Sequence, residues 1–281
     1  MYWKALYWSV LIFRPLAPAP PAVLVGAGDI ASCAYDTDEA TAKLLDSIPG
    51  TVFTAGDNAY ESGTAREYAR CYAPTWGRHK ARTRPSPGNH DYRGRGADPY
   101  YAYFGAAAGP AKHGFYSYDL GGWHIISLNS NIPMDAGSTQ ERWLRHDLAR
   151  HHALCTLAYW HHPLFSSGTT HGSSPAVRPL WQALYDAGAD VVITGHEHQY
   201  ERFAPQTPSG VLDTARGIRE FVVGTGGARL YRFGPATLNS EARDNTTHGV
   251  IKLTLRPNGY DWEFVPVAGG SFRDSGSAKC H

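Results

Sequence analysis

The chain has no block of like charge. Lys and Arg together number 26 against 25 Asp and Glu, a net charge of +1 with the histidines neutral. No acidic or basic tail stands out, which excludes bulk electrostatic attraction to nucleic acid or to an anionic membrane. Charged residues make up only 18% beside 42% hydrophobic residues, so a disordered chain is excluded too. None of the four cysteines, Cys33, Cys71, Cys155 and Cys280, forms a CxxC pair, which argues against a zinc ribbon. Three enzyme motifs are also missing. No Gly-x-Ser-x-Gly elbow occurs. Gly26-Ala-Gly28 lacks the third glycine of a dinucleotide fingerprint. After His196-Glu197, Tyr200 stands where a metalloprotease helix needs its second histidine. There is no internal repeat and no linker. The 281 residues suffice for a large core, and residues 22–281 read as one domain behind a distinct opening stretch, residues 1–21.

In that stretch Lys4 precedes an apolar run from Ala5 to Phe13, followed by Arg14 and a Pro/Ala-rich segment to Pro21. The run is too short to span a membrane. It resembles a shortened signal peptide with an Ala-Pro-Ala-Pro cleavage zone; the alternative is a disordered terminus. An extracytoplasmic or secreted location is expected, with the cytoplasm as the alternative. An even cysteine count in an exported chain fits two disulfides. Three pairings are open, of which Cys33–Cys71 and Cys155–Cys280 are favoured, the second tying the tail to a central strand; the alternative is four buried thiols.

What is present in quantity is histidine, 14 residues, the commonest metal ligand. Four of them, His161, His162, His196 and His198, follow apolar runs. Ala22–Ala27 reads as a strand that ends near Asp29. A helix is expected over Thr37 to Ile48, with Ala40, Leu44, Leu45 and Ile48 on one face. Thr51–Ala55 reads as a buried strand delivering Asp57 in Gly56-Asp57-Asn58-Ala59-Tyr60. The breaker cluster Pro85–Gly88 presents Asn89 and His90 on a loop. Ser138-x-x-Glu141 predicts a capping box opening a helix to about Arg150. Cys155–Trp160 delivers His161 and His162, and Ala189–Thr194 delivers His196 and His198. The last third reads as antiparallel strands, with a hairpin turn at Pro257-Asn258-Gly259.

Each motif alone has a plain reading. Gly-Asp after a strand is commonly a cap, and Asp57-Asn58 is usually a turn. Together they place Asp29, Asp57, Tyr60, Asn89, His161, His196 and His198 at strand ends or loops. These are oxygen and imidazole donors without a thiolate, which suits zinc, iron or manganese. Seven are too many for one tetrahedral ion but enough for two if one carboxylate bridges. Two ions roughly 3.5–4 Å apart are the usual solution for phosphate esters, with an activated water as nucleophile. His90 is placed to protonate a leaving alkoxide or to steady a phosphoryl oxygen.

The series Gly28-Asp29, Gly56-Asp57-Asn58-Ala59-Tyr60, Gly88-Asn89-His90-Asp91, Ala158-Tyr159-Trp160-His161 and Gly195-His196-Glu197-His198 resembles the calcineurin-like metallophosphoesterases. Tyr60, with Ala31 instead of histidine two residues after Asp29, makes it similar to the purple acid phosphatase branch. The resemblance covers residue 23 to about residue 267. It implies a four-layer α/β/β/α sandwich of the α+β class. It implies a ferric ion held by Asp29, Tyr60 and His198, a divalent ion (zinc, iron or manganese) held by Asn89, His161 and His196, and Asp57 as the bridge. It also implies that His90 and His171 face a phosphorylated small-molecule substrate. The expected reaction is hydrolysis of phosphate monoesters; the alternative is a phosphodiesterase acting on nucleotides or phospholipid head groups. The family pattern His-x-Pro favours His161 over His162 as ligand, with His162 still open. No N-terminal β-sandwich of the plant relatives is expected in this chain.

Overall fold

Apolar residues at alternate strand positions set the layers of this fold. The computed structural model describes residues 21–110 and 113–281, so the signal-peptide expectation lies outside the described residues. The strands are β1 (Ala22–Ala27), β2 (Ala31–Ser32), β3 (Thr51–Ala55), β4 (Ala59–Tyr60), β5 (Thr83–Ser86), β6 (Tyr116–Leu120), β7 (Trp123–Ser127) and β8 (Cys155–Tyr159). They continue as β9 (Val191–Thr194), β10 (Tyr200–Phe203), β11 (Arg219–Val223), β12 (Ser240–Asp244), β13 (Gly249–Arg256), β14 (Gly259–Pro266) and β15 (Ser275–Lys279). The helices are α1 (Thr37–Ser47), α2 (Ala65–Glu67), α3 (Asn89–Tyr92), α4 (Asp98–Phe104), α5 (Thr139–Arg150) and α6 (Arg178–Asp186).

Two mixed sheets result, ordered β15-β14-β13-β1-β3-β5 and β12-β10-β11-β9-β8-β7-β6, with a small parallel pair β2-β4. In the first sheet β1, β3 and β5 run parallel. In the second β7, β8, β9 and β11 run parallel. Side chains alternate between the faces of a strand. Ile125, Leu157, Tyr159 and Ile193 therefore share a core with Leu24, Phe53 and Leu253 of the first sheet. Their neighbours Ile126, Ala158 and Val192 face away, against Leu144 of α5 and Leu180, Trp181 and Leu184 of α6. The helix α1 adds Ala42 and Leu45 to the core of the first sheet. This is the expected α/β/β/α sandwich. Four tryptophans, Trp76, Trp123, Trp160 and Trp181, are fully buried in it, and a large apolar side chain so placed contributes about 1.5–3 kcal/mol.

Two local expectations need correction. The buried face of α1 is Asp38, Thr41, Ala42 and Leu45, while Ala40, Leu44 and Ile48 are only half buried. Polar residues can face inward here because they find partners: Thr41 Oγ1 donates to Gly226 O at 2.5 Å and accepts the Trp76 indole N–H at 2.9 Å. At α5 only half of the capping box forms. Ser138 Oγ accepts the Glu141 N–H at 3.2 Å, but the Glu141 carboxylate takes the Gly137 N–H instead of that of Ser138.

Both favoured disulfides are present, Cys33–Cys71 and Cys155–Cys280. The second ties the start of β8 to the chain end, where the His281 N–H also donates to Asp190 Oδ1 at 3.1 Å. No helix among the described residues is long and apolar enough to cross a membrane.

Candidate metal centre

The two sheets meet at the carboxyl ends of their parallel strands. The Gly28 N–H, just past β1, donates to Val223 O at the end of β11 at 2.8 Å, and the Gly226 N–H returns to Gly28 O at 2.9 Å. Open sheets place ligand sites at such ends. Here β1 delivers Asp29, β3 delivers Asp57, β8 delivers His161, and β9 delivers His196 and His198. Tight turns follow the strands at once. Asp29, Asp57 and His196 hold φ of 60°, 49° and 68°, a left-handed backbone that costs a non-glycine residue about 1–3 kcal/mol. Glycines just ahead of His196 and of Asn89 are required by close approach. A Cβ on Gly195 would lie 2.5 Å from Asp29 Oδ2, and one on Gly88 would collide with the Asp57 carboxylate.

The seven expected ligands converge in two groups. In the first, Asp29 Oδ1 lies 2.7 Å from the Tyr60 phenol oxygen and 3.2 Å from His198 Nε2, and that phenol oxygen is 2.9 Å from His198 Nε2. In the second, His161 Nε2 lies 3.0 Å from Asn89 Oδ1 and 3.1 Å from His196 Nδ1. One atom belongs to both groups: Asp57 Oδ2 is 3.1 Å from the Tyr60 oxygen and 3.2 Å from His161 Nε2. Donors held about 2.1 Å from one ion stand roughly 3.0–3.4 Å apart; five of the seven spacings lie in that range, and the two shorter ones, 2.7 and 2.9 Å, are hydrogen-bond distances to the Tyr60 hydroxyl. The charge fits as well. Asp29 and Asp57 are 0% and 1% exposed, and among the described residues neither pairs with a lysine or arginine. Two buried carboxylates without a permanent cation favour a metal.

Carbonyl groups behind the ligands fix the ring orientations. The His161 Nδ1–H donates to Ala55 O at 2.8 Å and the His198 Nδ1–H to Arg229 O at 2.8 Å, which turns both Nε2 atoms inward. Burial alone would raise the Asp57 carboxyl, but the His161 imidazole and then His90 hold it far below the usual range. Burial pulls His161 down and Asp57 more than reverses that, to about 9. Burial, then Asp29 and Asp57, push the Tyr60 phenol well above its ordinary value. Burial and then the neighbouring His161, His162 and His171 rings keep His196 strongly depressed.

The remaining expected residues line the mouth. His90 donates through Nδ1–H to Glu61 O at 2.7 Å, and its Nε2 is 3.9 Å from Asp57 Oδ2. His171 is exposed and stacks on His196, ring centres 4.1 Å apart. His162 does not join the ligand groups: its Nδ1 pairs with Ser130 Oγ at 2.7 Å, and its ring flanks His196 at 4.3 Å.

Sequence reasoning overlooked three residues. Asp91 knots two ligand turns together, its Oδ2 accepting the Gly88 N–H at 2.9 Å and the Asn58 side-chain N–H at 3.0 Å, its Oδ1 the Tyr68 hydroxyl at 2.6 Å. Tyr231 stacks on His198, ring centres 3.9 Å apart. Glu197 is buried between His196 and His198 in sequence. The fourth position of Gly88-Asn89-His90-Asp91 was a visible signal for Asp91; nothing local pointed to Tyr231. Elsewhere, Asp119, His124 and His151 also bring ligand-type atoms together. The two rings there stack face to face at 3.9 Å, 14° from parallel, so their lone pairs do not converge on one ion.

The chain is 27% identical to purple acid phosphatase 15 of Arabidopsis thaliana over 262 residues, 77% of this chain and 48% of that one. It is 36% identical to purple acid phosphatase 21 of the same plant over 96 residues, 32% of this chain and 22% of that one. It thus spans about half or less of the length of these relatives. Among solved structures it superposes on the purple acid phosphatase PPD1 of yellow lupin (Lupinus luteus) with a TM-score of 0.75 at 20% identity, covering 92% of this chain and 54% of that one. GAP50, described as the anchor in the inner membrane complex of Plasmodium, gives 0.72 at 16% identity, covering 93% and 90%. These likenesses show the shared fold. The match that decides membership runs over residues 23–200, from the strand before Asp29 to just past His198, and by it the chain belongs to the calcineurin-like phosphoesterase family.

Proposed function

We propose that this chain hydrolyses phosphate monoesters at a dinuclear metal centre, as the purple acid phosphatases it resembles do. The observation that carries the reading is the shared Asp57 Oδ2, which touches both ligand groups. Asp29, Tyr60 and His198 would hold a ferric ion, Asn89, His161 and His196 would hold a divalent ion, zinc, iron or manganese, and Asp57 would serve both. A phenolate is a hard anionic donor, and coordination strips its proton. When bound, the ions supply an activated water and offset charge on the phosphoryl oxygens. The protein side chains orient and protonate the substrate. His90, with Nδ1–H fixed on Glu61 O, presents Nε2 to the mouth and gives a proton to the leaving alkoxide. His171, on the wall beside His196, holds a phosphoryl oxygen.

Residues 22–281 act as one catalytic domain on a small phosphorylated substrate, in an oxidising compartment outside the cytoplasm where two disulfides persist. The fold alone does not decide this, since GAP50 shares it and is described as an anchor. The test is turnover of an aryl phosphate monoester against the matching diester, with iron plus zinc or manganese supplied. Faster monoester turnover is expected. A diester preference moves the substrate class to nucleotide or phospholipid diesters. No turnover of either, with metals bound, contradicts the enzymatic reading.

A further inference from the structure

The segment after His161 and His162 is held from beneath by three buried glutamates. Glu220 Oε1 and Oε2 accept the Leu164 and Phe165 N–H groups at 3.1 Å each. Glu201 Oε2 accepts the Ser167 N–H at 2.8 Å. Glu197 Oε1 accepts the His171 N–H at 2.5 Å and also the Gly172 N–H. All three carboxylates are 0% exposed. The flank of the loop has further anchors, such as Thr169 N–H on Arg232 O at 3.1 Å. Its tip has none: among the described residues no other hydrogen bond reaches the backbone of His171 or Gly172. The loop also wraps the carboxylate closely, since a Cβ on Gly168 would collide with it.

We propose that Glu197 is a positioning residue that fixes the tip of this loop, and so the His171 imidazole, to the turn carrying His196 and His198. The inference rests on the substrate-facing role given to His171 above. Glu197 stands between two metal ligands in sequence, so one turn sets both the ions and the wall that meets the substrate. The stack of His171 on His196 at 4.1 Å is the visible result. A loop tip held by two N–H bonds to one side-chain oxygen is preorganised, and loss of that tether weakens ground-state recognition before chemistry.

The test is a double-mutant cycle on the metal-loaded protein, with KM and kcat for an aryl phosphate, metal content, and amide exchange at residues 171–172. Glu197→Ala is expected to raise KM about tenfold with kcat held within about threefold, and to match His171→Ala. The double variant is expected to be no worse than either single one. Glu197→Gln, whose amide oxygen still accepts both N–H groups, restores most of the affinity. Exchange at 171–172 quickens in Glu197→Ala at wild-type metal content. Should Glu197→Ala lose metal, Gly168→Ala crowds the same carboxylate from the loop side and is expected to show the same rise in KM. Additive losses, or an unchanged KM in Glu197→Ala beside a raised one in His171→Ala, overturn the inference and leave the function reading standing. An unchanged KM in His171→Ala overturns the role given to His171 instead. Amide exchange then judges the tether alone, and unchanged protection in Glu197→Ala overturns it.

Discussion

Tyr60 is the residue whose chemistry distinguishes this site most sharply. Its phenol oxygen lies within 2.7–3.1 Å of Asp29, Asp57 and His198, and burial plus those carboxylates push the phenol well above its ordinary value. With ferric iron bound, the protein is expected to absorb visible light through phenolate-to-iron charge transfer, and Tyr60→Phe to lose the band. A colourless wild type with stoichiometric oxidised iron contradicts this. Away from the ligands, Glu220 gives a test by pH. Burial pushes its carboxyl up to about 8, against the N–H groups of Phe165 and Leu164, which lower it. Between about 4.5, the ordinary glutamate value, and 8 the folded state therefore holds a proton that the unfolded chain has released. Stability from this group falls as pH rises through that window, by on the order of 3–5 kcal/mol in all. The unfolding free energy of wild type minus that of Glu220→Gln is expected to fall from pH 5 to pH 8; a flat difference contradicts the assignment. Such residues show why part of the site was legible and part was not. Asp29, Asp57, His161 and His196 follow apolar strands, and the pattern sits in the local sequence. Glu197 was passed over inside its own motif, because its partners, His171 and Gly172, lie some 25 residues away. Between His161 and His162 the motif left the choice open; in the structure His161 Nε2 lies 3.0 Å from Asn89 Oδ1, while His162 Nδ1 pairs with Ser130 Oγ.

Among the elements, β8 shows how one strand serves two ends. Its carboxyl end delivers His161 to the ligands, and its amino end is stapled through Cys155 to Cys280 across 125 residues. Removing a bridge over so long a loop costs about 2–5 kcal/mol, by a mechanism acting mostly on the unfolded chain. The double variant Cys155→Ser with Cys280→Ser is expected to unfold at lower denaturant while keeping wild-type metal content, since the staple lies at the far end of the strand. Metal loss at unchanged stability contradicts that separation. The central strands were legible because Val-, Ile- and Ala-rich runs such as Val191–Thr194 have no other plausible place. The strands β10, β12 and β15 were not: their sequences YERF, SEARD and SGSAK carry charge or small residues and pair at or near sheet edges, where long-range contacts set the conformation. In α1 the inward face was misassigned because Asp38 and Thr41 are polar, and their burial depends on Thr75, Trp76 and Gly226.

At the scale of the molecule, two sheets bring their strand ends together so that ligands far apart in the chain, from Asp29 to His198, share one pocket. Each sheet contributes to both ligand groups, and Asp57 is where they join. By the proposed function this carboxylate would serve two ions at once. Elemental analysis of the wild type and of Asp57→Ala, purified in parallel with iron and zinc supplied, tests it most directly. Two ions per chain are predicted for the wild type, with losses at both positions in the variant. Retention of both ions at wild-type occupancy in Asp57→Ala, or a single ion in the wild type, would contradict the account.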